Sequence, residues 1–229
     1  MVDEFLRTIP IFRDLSDEVT EQVEKVLSLR KYPKRSMIII EEEYGDIVYF
    51  IKSGTVKITR LNEEGKEVIL ALLGTGEFFG EMAILDGEAR SANAMAQEDC
   101  EVYAMSQSNF VELLKKNFKI TYLLLGELAR RIRKSDQQIE ALSLSDAEHR
   151  IGVSILSLAE DRGVIRNGRV TIPNLPYQQD IASMAGTSRE TVSRVFKILE
   201  ERHVLLKDGH TLIIPDYLYF RKAFGKKFS

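Results

Sequence analysis

Two stretches of this 229-residue chain place chemically capable side chains at fixed spacing. The first is Phe79-Gly80-Glu81-Met82-Ala83-Ile84-Leu85-Asp86-Gly87-Glu88-Ala89-Arg90-Ser91-Ala92, with Arg90 nine residues after Glu81. A cyclic phosphodiester needs one fixed cation, hydroxyl or backbone donors around it, and an acceptor for a ribose 2′-hydroxyl. Arg90 can supply the cation and Ser91 a hydroxyl donor. Glu81 can accept from the ribose, and Gly80 lets the backbone approach closely. The same residues can instead form an Arg90–Glu81 ion pair that closes a loop, and taken alone they favour it.

The second stretch, Gln178 to Lys197, reads as helix, glycine turn, helix, with Gly186 at the turn. Val192, Val195, Phe196 and Leu199 recur at helical spacing and belong to a core face. Ser188, Arg189, Glu190, Ser193, Arg194 and Lys197 fall outside it. Arginine can donate twice to guanine O6 and N7, and glutamate can accept from cytosine N4, so this face suits a major groove. Gln178 and Gln179, with the first helix's amides, suit phosphate. The bland alternative is a solvated face on a small module that binds protein, with Glu190 capping Thr187.

The elements carrying these stretches differ in period. Short β-type runs at Ser36–Ile40, Ile47–Ile51, Thr55–Thr59, Val68–Leu72, Ala92–Ala96 and Cys100–Ala104 alternate with glycine-bearing turns, which predicts a β-roll after a short helical opening. From about Phe110 the period turns helical. Leu125, Leu128, Ile132, Ser135, Ile139 and Leu142 step by three and four residues as an a/d seam. Such a seam can pack on its own β domain or on a second copy, and the 3.5-residue period favours a parallel dimer. Ser135 is a tolerated polar residue in the seam or a ligand contact. Ser145-x-x-Glu148 reads as a capping box and marks a joint at Leu144–Asp146. Hairpins follow at Asn167-Gly168 and Asp208-Gly209, the latter a candidate wing. The domains expected are a sensing β-roll (1–117), a dimerisation helix (118–144) and a winged helix-turn-helix (145–229), an α+β chain.

Charge follows the same division. The chain carries −3 overall, but from Asp146 onward 13 basic residues face 10 acidic ones, against 19 and 25 before it. The single cysteine, Cys100, excludes a disulfide framework and a self-ligated iron–sulfur cluster, and reads as a buried strand residue. His149, His203 and His210 all lie late in the chain, away from the β-roll where a haem sensor would need one. No metal, haem or cluster is expected. No signal peptide or membrane-length apolar run is visible, so a cytoplasmic protein is expected. P-loop, H-E-x-x-H and G-x-S-x-G signatures are absent, which argues against an enzyme.

Gly186-Thr187-Ser188-Arg189-Glu190-Thr191-Val192-Ser193-Arg194 resembles the recognition segment of the Crp/Fnr family. Phe79 to Ala92 resembles the phosphate-binding cassette of cyclic-nucleotide-binding domains, with its usual Glu-to-Arg spacing. The resemblance runs from about Ile11 to Ile214. It implies that Arg189, Glu190 and Arg194 read a TGTGA-type half-site, that Gly80, Glu81, Arg90 and Ser91 hold an effector such as cyclic AMP, and that Ser135 and Asp136 contact its adenine. Double-stranded DNA with a two-fold-related site, a second copy of the chain and RNA polymerase are the implied partners. Three positions depart from the pattern: Ala89 for a common Pro or Gln, Asp136 for a hydroxyl residue, and Tyr177 for a Thr or Ser helix cap. The alternatives are the same regulator with another effector or none, and a cyclic-nucleotide-dependent interaction module without DNA affinity.

Overall fold

In the computed structural model, which describes residues 2–225, the chain opens with α1 (Val2–Leu6) and α2 (Asp17–Val26). There follow β1 (Ser28–Tyr32), β2 (Met37–Ile39), β3 (Ile47–Ser53), β4 (Val56–Leu61), β5 (Glu67–Leu73), β6 (Phe78–Phe79), α3 (Met82–Asp86), β7 (Asn93–Ala96) and β8 (Cys100–Ser106). Two helices come next, α4 (Gln107–Lys116) and α5 (Phe118–Leu144). The remainder is α6 (Ala147–Arg162), β9 (Val164–Arg166), β10 (Arg169–Ile172), α7 (Gln178–Met184), α8 (Arg189–Glu201), β11 (Leu206–Asp208), β12 (Thr211–Ile214) and α9 (Tyr217–Phe224). The chain divides into two compact units between Arg131 and Ile132, inside α5.

The first unit is the β-roll that the strand spacing predicts. Its sheets, in strand order β1-β8-β3-β6 and β2-β7-β4-β5, are antiparallel throughout. β3 shows why the sequence folds this way. Its continuous apolar run serves two cores, because side chains alternate across a strand. Val48 and Phe50 pack with Phe5, Phe12, Phe78 and Phe110, under the helices. Tyr49 and Ile51 pack with Val56, Phe79, Ala96 and Val102, between the sheets. The Phe12 and Phe50 rings meet tilted with centroids 5.1 Å apart, and Tyr49 and Phe79 stack at 5.1 Å. Cys100 is a buried strand residue, its thiol 3.3 Å from the Thr55 carbonyl.

Four features of this unit escape the strand pattern, the first being the two-residue strand β6. β1 is a mostly exposed edge strand held by backbone pairing to β8, with Lys31 and Lys52 both on Glu101 at 2.8 and 2.7 Å. Those two ammonium groups hold the Glu101 carboxyl at about 2. α3 forms a short helix inside the cassette, ended by Gly87 at φ 77°. A separate helix, α4, precedes the long helix expected over 118–144, and Asn117 ends it before α5 begins.

The second unit contains the sheet β11-β12-β10-β9 with α6, α7, α8 and α9, a winged helix-turn-helix. Asn167 (φ 51°) and Gly168 (φ 77°) make the first hairpin turn. The second turn is shifted by one residue from the sequence reading. Asp208 pairs with Thr211, so Gly209 (φ 57°) and His210 are central. The capping box is corrected too. Asp146, not Ser145, caps α6, its carboxylate accepting from the His149 amide at 2.8 Å. α9 was not foreseen; it buries Phe220 and Phe224, and a side chain at Gly152 would collide with the Phe224 ring. No helix among the described residues is long and apolar enough to cross a membrane.

Candidate effector pocket and nucleic-acid interface

Glu81 and Arg90 are among the few buried charged residues, at 2% and 6% exposure. Ionised groups are held out of water only where other polar groups satisfy them. Arg90 donates to the carbonyls of Gly80 (2.6 Å) and Ile47 (2.8 Å). Its backbone is tied to a facing loop, donating to the Glu43 carbonyl and accepting from the Glu42 amide, each at 2.9 Å. Gly45 and Gly80 make room for the guanidinium. A Cβ at Gly45 would collide with it, and one at Gly80 would lie 2.8 Å from Nη1. Gly80 also sits at φ 84°, a conformation that glycine adopts freely.

The Arg90–Glu81 ion pair that the residues alone favour does not form. Glu81 instead accepts from Arg131 of α5 at 2.9 Å. Arg131 also donates to the Phe78 carbonyl at 2.7 Å and lies 4.5 Å over the Phe78 ring. Burial pushes the Glu81 carboxyl above its ordinary range, and Arg131 pulls it part of the way back. The network continues through Glu127, which accepts from Arg131 at 3.2 Å and from Arg130 at 2.6 Å. Burial alone would raise the Glu127 carboxyl, but these arginines hold it low. Ser91 is exposed, its hydroxyl 3.7 Å from the Met82 sulfur.

Arg131 is thus a residue that the sequence reading missed. A basic residue between seam positions reads as solvated. The available signal was its place three residues after Leu128, which also packs into the β-roll core. Ser135 lies one helical turn beyond Arg131 on α5, and both Ser135 and Asp136 are exposed. Among the other seam positions, Leu125, Ile132, Ile139 and Leu142 are exposed along α5.

In the second unit, α8 buries Val192, Val195, Phe196 and Leu199, as the helical spacing requires. Ser188, Arg189, Glu190, Ser193, Arg194 and Lys197 are all exposed. Ser188 caps α8 by accepting from the Thr191 amide at 3.2 Å, which displaces Thr187 from the capping role. Glu190 stays below the usual carboxylate range because the helix-start amide, the Ser188 hydroxyl and then Arg189 favour its anion. Arg189 and Arg194 have no ion-pair partner among the described residues, whereas Lys197 lies 4.0 Å from Glu201. Gln179 is exposed and Gln178 half-buried at the start of α7.

Tyr177 precedes α7 with cap-like backbone angles but provides no side-chain cap. Tyr177→Ser is therefore expected to stabilise the protein by about 0.5–1 kcal/mol, raising the melting temperature by roughly 1–4 °C. An unchanged or lowered melting curve would contradict a missing cap.

Residues 29–117 match the family described as the cyclic nucleotide-binding domain, and residues 150–222 match the Crp-like helix-turn-helix domain. A cyclic AMP receptor protein of Thermus thermophilus is 35% identical over 214 residues, covering 93% of each chain. The chain belongs to the Crp/Fnr family. It is a DNA-binding transcription regulator of the Crp/Fnr type with a cyclic-nucleotide-binding domain. The cAMP-activated global transcriptional regulator of Haemophilus influenzae is 33% identical over 81% of this chain and 83% of its own. Two solved Crp/Fnr-like structures share the fold at lower identity. FixK2 from Bradyrhizobium japonicum has a TM-score of 0.77 and 21% identity over 88% of this chain and 99% of that one. CLP of Xanthomonas campestris, a c-di-GMP responsive global regulator, has a TM-score of 0.70 and 22% identity over 87% and 99%.

Proposed function

We propose that this Crp/Fnr protein is a cytoplasmic homodimer whose affinity for two-fold-related DNA sites is set by cyclic AMP bound in the β-roll. The observation that carries the effector reading is the pair of buried ionisable groups, Glu81 and Arg90, on either side of a cassette whose turn at Gly80 admits no side chain. The two carbonyl bonds occupy two of the five N–H groups of Arg90, leaving donors for a phosphate. Ser91 adds a hydroxyl, Glu81 accepts from the ribose, and Ser135 with Asp136 meets the base. The names of the Thermus and Haemophilus relatives support cyclic AMP over other nucleotides.

In the same proposal, two copies zip along α5 through Leu125, Leu128, Ile132, Ser135, Ile139 and Leu142. The dimer presents two α8 helices to half-sites about 34 Å apart. Arg189, Glu190 and Arg194 read base edges, while Gln178, Gln179, Ser188, Ser193 and Lys197 contact phosphate or flank the bases. RNA polymerase is the further partner. Effector control requires that cyclic AMP bind the DNA-competent dimer more tightly than the incompetent one.

Selection of preferred duplexes from a random pool, followed by affinity measurement, tests the DNA reading. Arg189→Ala is expected to cost about 1–3 kcal/mol on the selected site and much less on unrelated DNA. An equal loss on both would assign Arg189 to phosphate. A pool yielding no preferred sequence would leave an interaction module instead.

A further inference from the structure

The α5–α6 corner at Leu144–Asp146 reads from sequence as a joint, but the structure braces it. Arg150 of α6 donates at 2.9 Å to the Ser145 carbonyl in the corner. The same guanidinium donates to the Ala185 carbonyl, where α7 ends, also at 2.9 Å. Leu142, near the end of α5, lies against Gly186, where an added Cβ would stand 2.8 Å from Leu142 Cδ2. Further back along α5, Lys134 forms an ion pair with Asp161 in the last turn of α6. Ser157 also donates to Asp161, at 3.4 Å.

Asp161 is poorly placed for α6 itself. An acid in the last turn opposes the helix dipole, which favours cations there. Lys134 gives it a partner. The two side chains are 26% and 23% exposed, so salt screens them less than an open surface pair.

We infer that Lys134 and Asp161 are positioning residues that latch α6 along the C-terminal part of α5, making the corner a rigid part of the DNA-binding unit. Three contacts then share one task within that unit. The latch fixes α6 lengthwise, Arg150 pins the corner to the helix-turn-helix, and Leu142 seats against its turn. α8 is tied to α6 as well, through Arg202 and Glu148 at 3.1 Å. Any rotation of α5 beyond Ile132 is therefore carried to the recognition helix without slack at residues 144–146. Only the reason such rotation matters rests on the proposed function; the latch needs neither effector nor DNA.

The test uses the full chain with Lys134→Gln, Asp161→Asn and the charge-swapped pair Lys134→Asp/Asp161→Lys. The swap also puts a cation at the end of α6, where the dipole tolerates it. Amide hydrogen exchange across residues 141–149 is measured without ligand, and affinity for a selected duplex is measured in parallel. Each single variant is expected to speed exchange about fivefold and shift DNA affinity by a similar factor, and the swap to return both to within about twofold of the original. Wild-type exchange in both single variants overturns the latch. So does a swap that restores nothing while melting temperatures stay equal. Exchange that moves while DNA affinity does not overturns the positioning role. Failure of cyclic AMP to bind would count against the effector reading alone, since exchange is read in its absence.

Discussion

Arg90→Leu is expected to weaken cyclic AMP binding by about 2–5 kcal/mol, a loss of roughly thirtyfold to several thousandfold in calorimetric titration. The size follows from chemistry at one atom group. A phosphate drawn into a partly dry pocket loses hydration, and a fixed guanidinium replaces it with charge-assisted hydrogen bonds. Leucine replaces them with nothing. Arg90 also holds the Gly80 and Ile47 carbonyls, so the substitution removes internal bonds of the pocket too. Arg90→Lys separates the two effects. It keeps the charge but cannot span two carbonyls and a phosphate with a planar fork, so intermediate binding is expected. If Arg90→Leu binds within about threefold of the original protein, the cassette does not hold the nucleotide phosphate.

The second large effect is expected at the seam. Ile132 and Ile139 are 62% and 61% exposed within the single chain, an unusual position for large apolar side chains that recur at helical spacing. Zipped against a partner, each would bury about 1.5–3 kcal/mol of side chain. The double substitution Ile132→Lys/Ile139→Lys removes four such side chains per dimer and opposes like charges, a cost on the order of 6 kcal/mol or more. Sedimentation should show monomers at concentrations where the original protein is dimeric, while far-ultraviolet dichroism stays unchanged. These positions serve better than Leu128, which packs into the β-roll core of its own chain and would damage the fold when charged. A double variant that sediments as a dimer would place the interface elsewhere.

The sequence was legible where burial on one face wrote a period. The strands β2 to β5, β7 and β8 and the core stripe of α8 follow from short apolar runs between turns and from three-and-four spacing, whereas the two-residue strand β6 leaves no such pattern. It was silent where an element is held mainly by backbone pairing and exposed charges. β1, Ser-Leu-Arg-Lys-Tyr, is mostly exposed and carries no apolar pattern, yet pairs with β8 over its whole length. The surroundings of the candidate effector residues were half legible. Glu81 and Arg90 stood out by type and spacing, but their partners are backbone carbonyls and a distant arginine. Neither Ile47 nor Arg131 could be assigned to them without the fold. Local signals also competed at helix starts. Ser145-x-x-Glu148 fits a capping box, but Asp146 lies one residue closer and takes the cap. At α8, Ser188 likewise takes precedence over Thr187.

Control of DNA binding by the β-roll is tested most directly by the affinity of the full protein for its selected duplex, measured by fluorescence anisotropy at one fixed salt concentration, with and without cyclic AMP. Holding salt constant is essential, because phosphate contacts alone make affinity fall steeply with ionic strength. The expected result is a change of about tenfold or more on adding the nucleotide, abolished by Arg90→Leu, within the usual range of coupling between two sites. Affinity that stays the same within about twofold, although the nucleotide is bound, would contradict control of the recognition helices through this pocket.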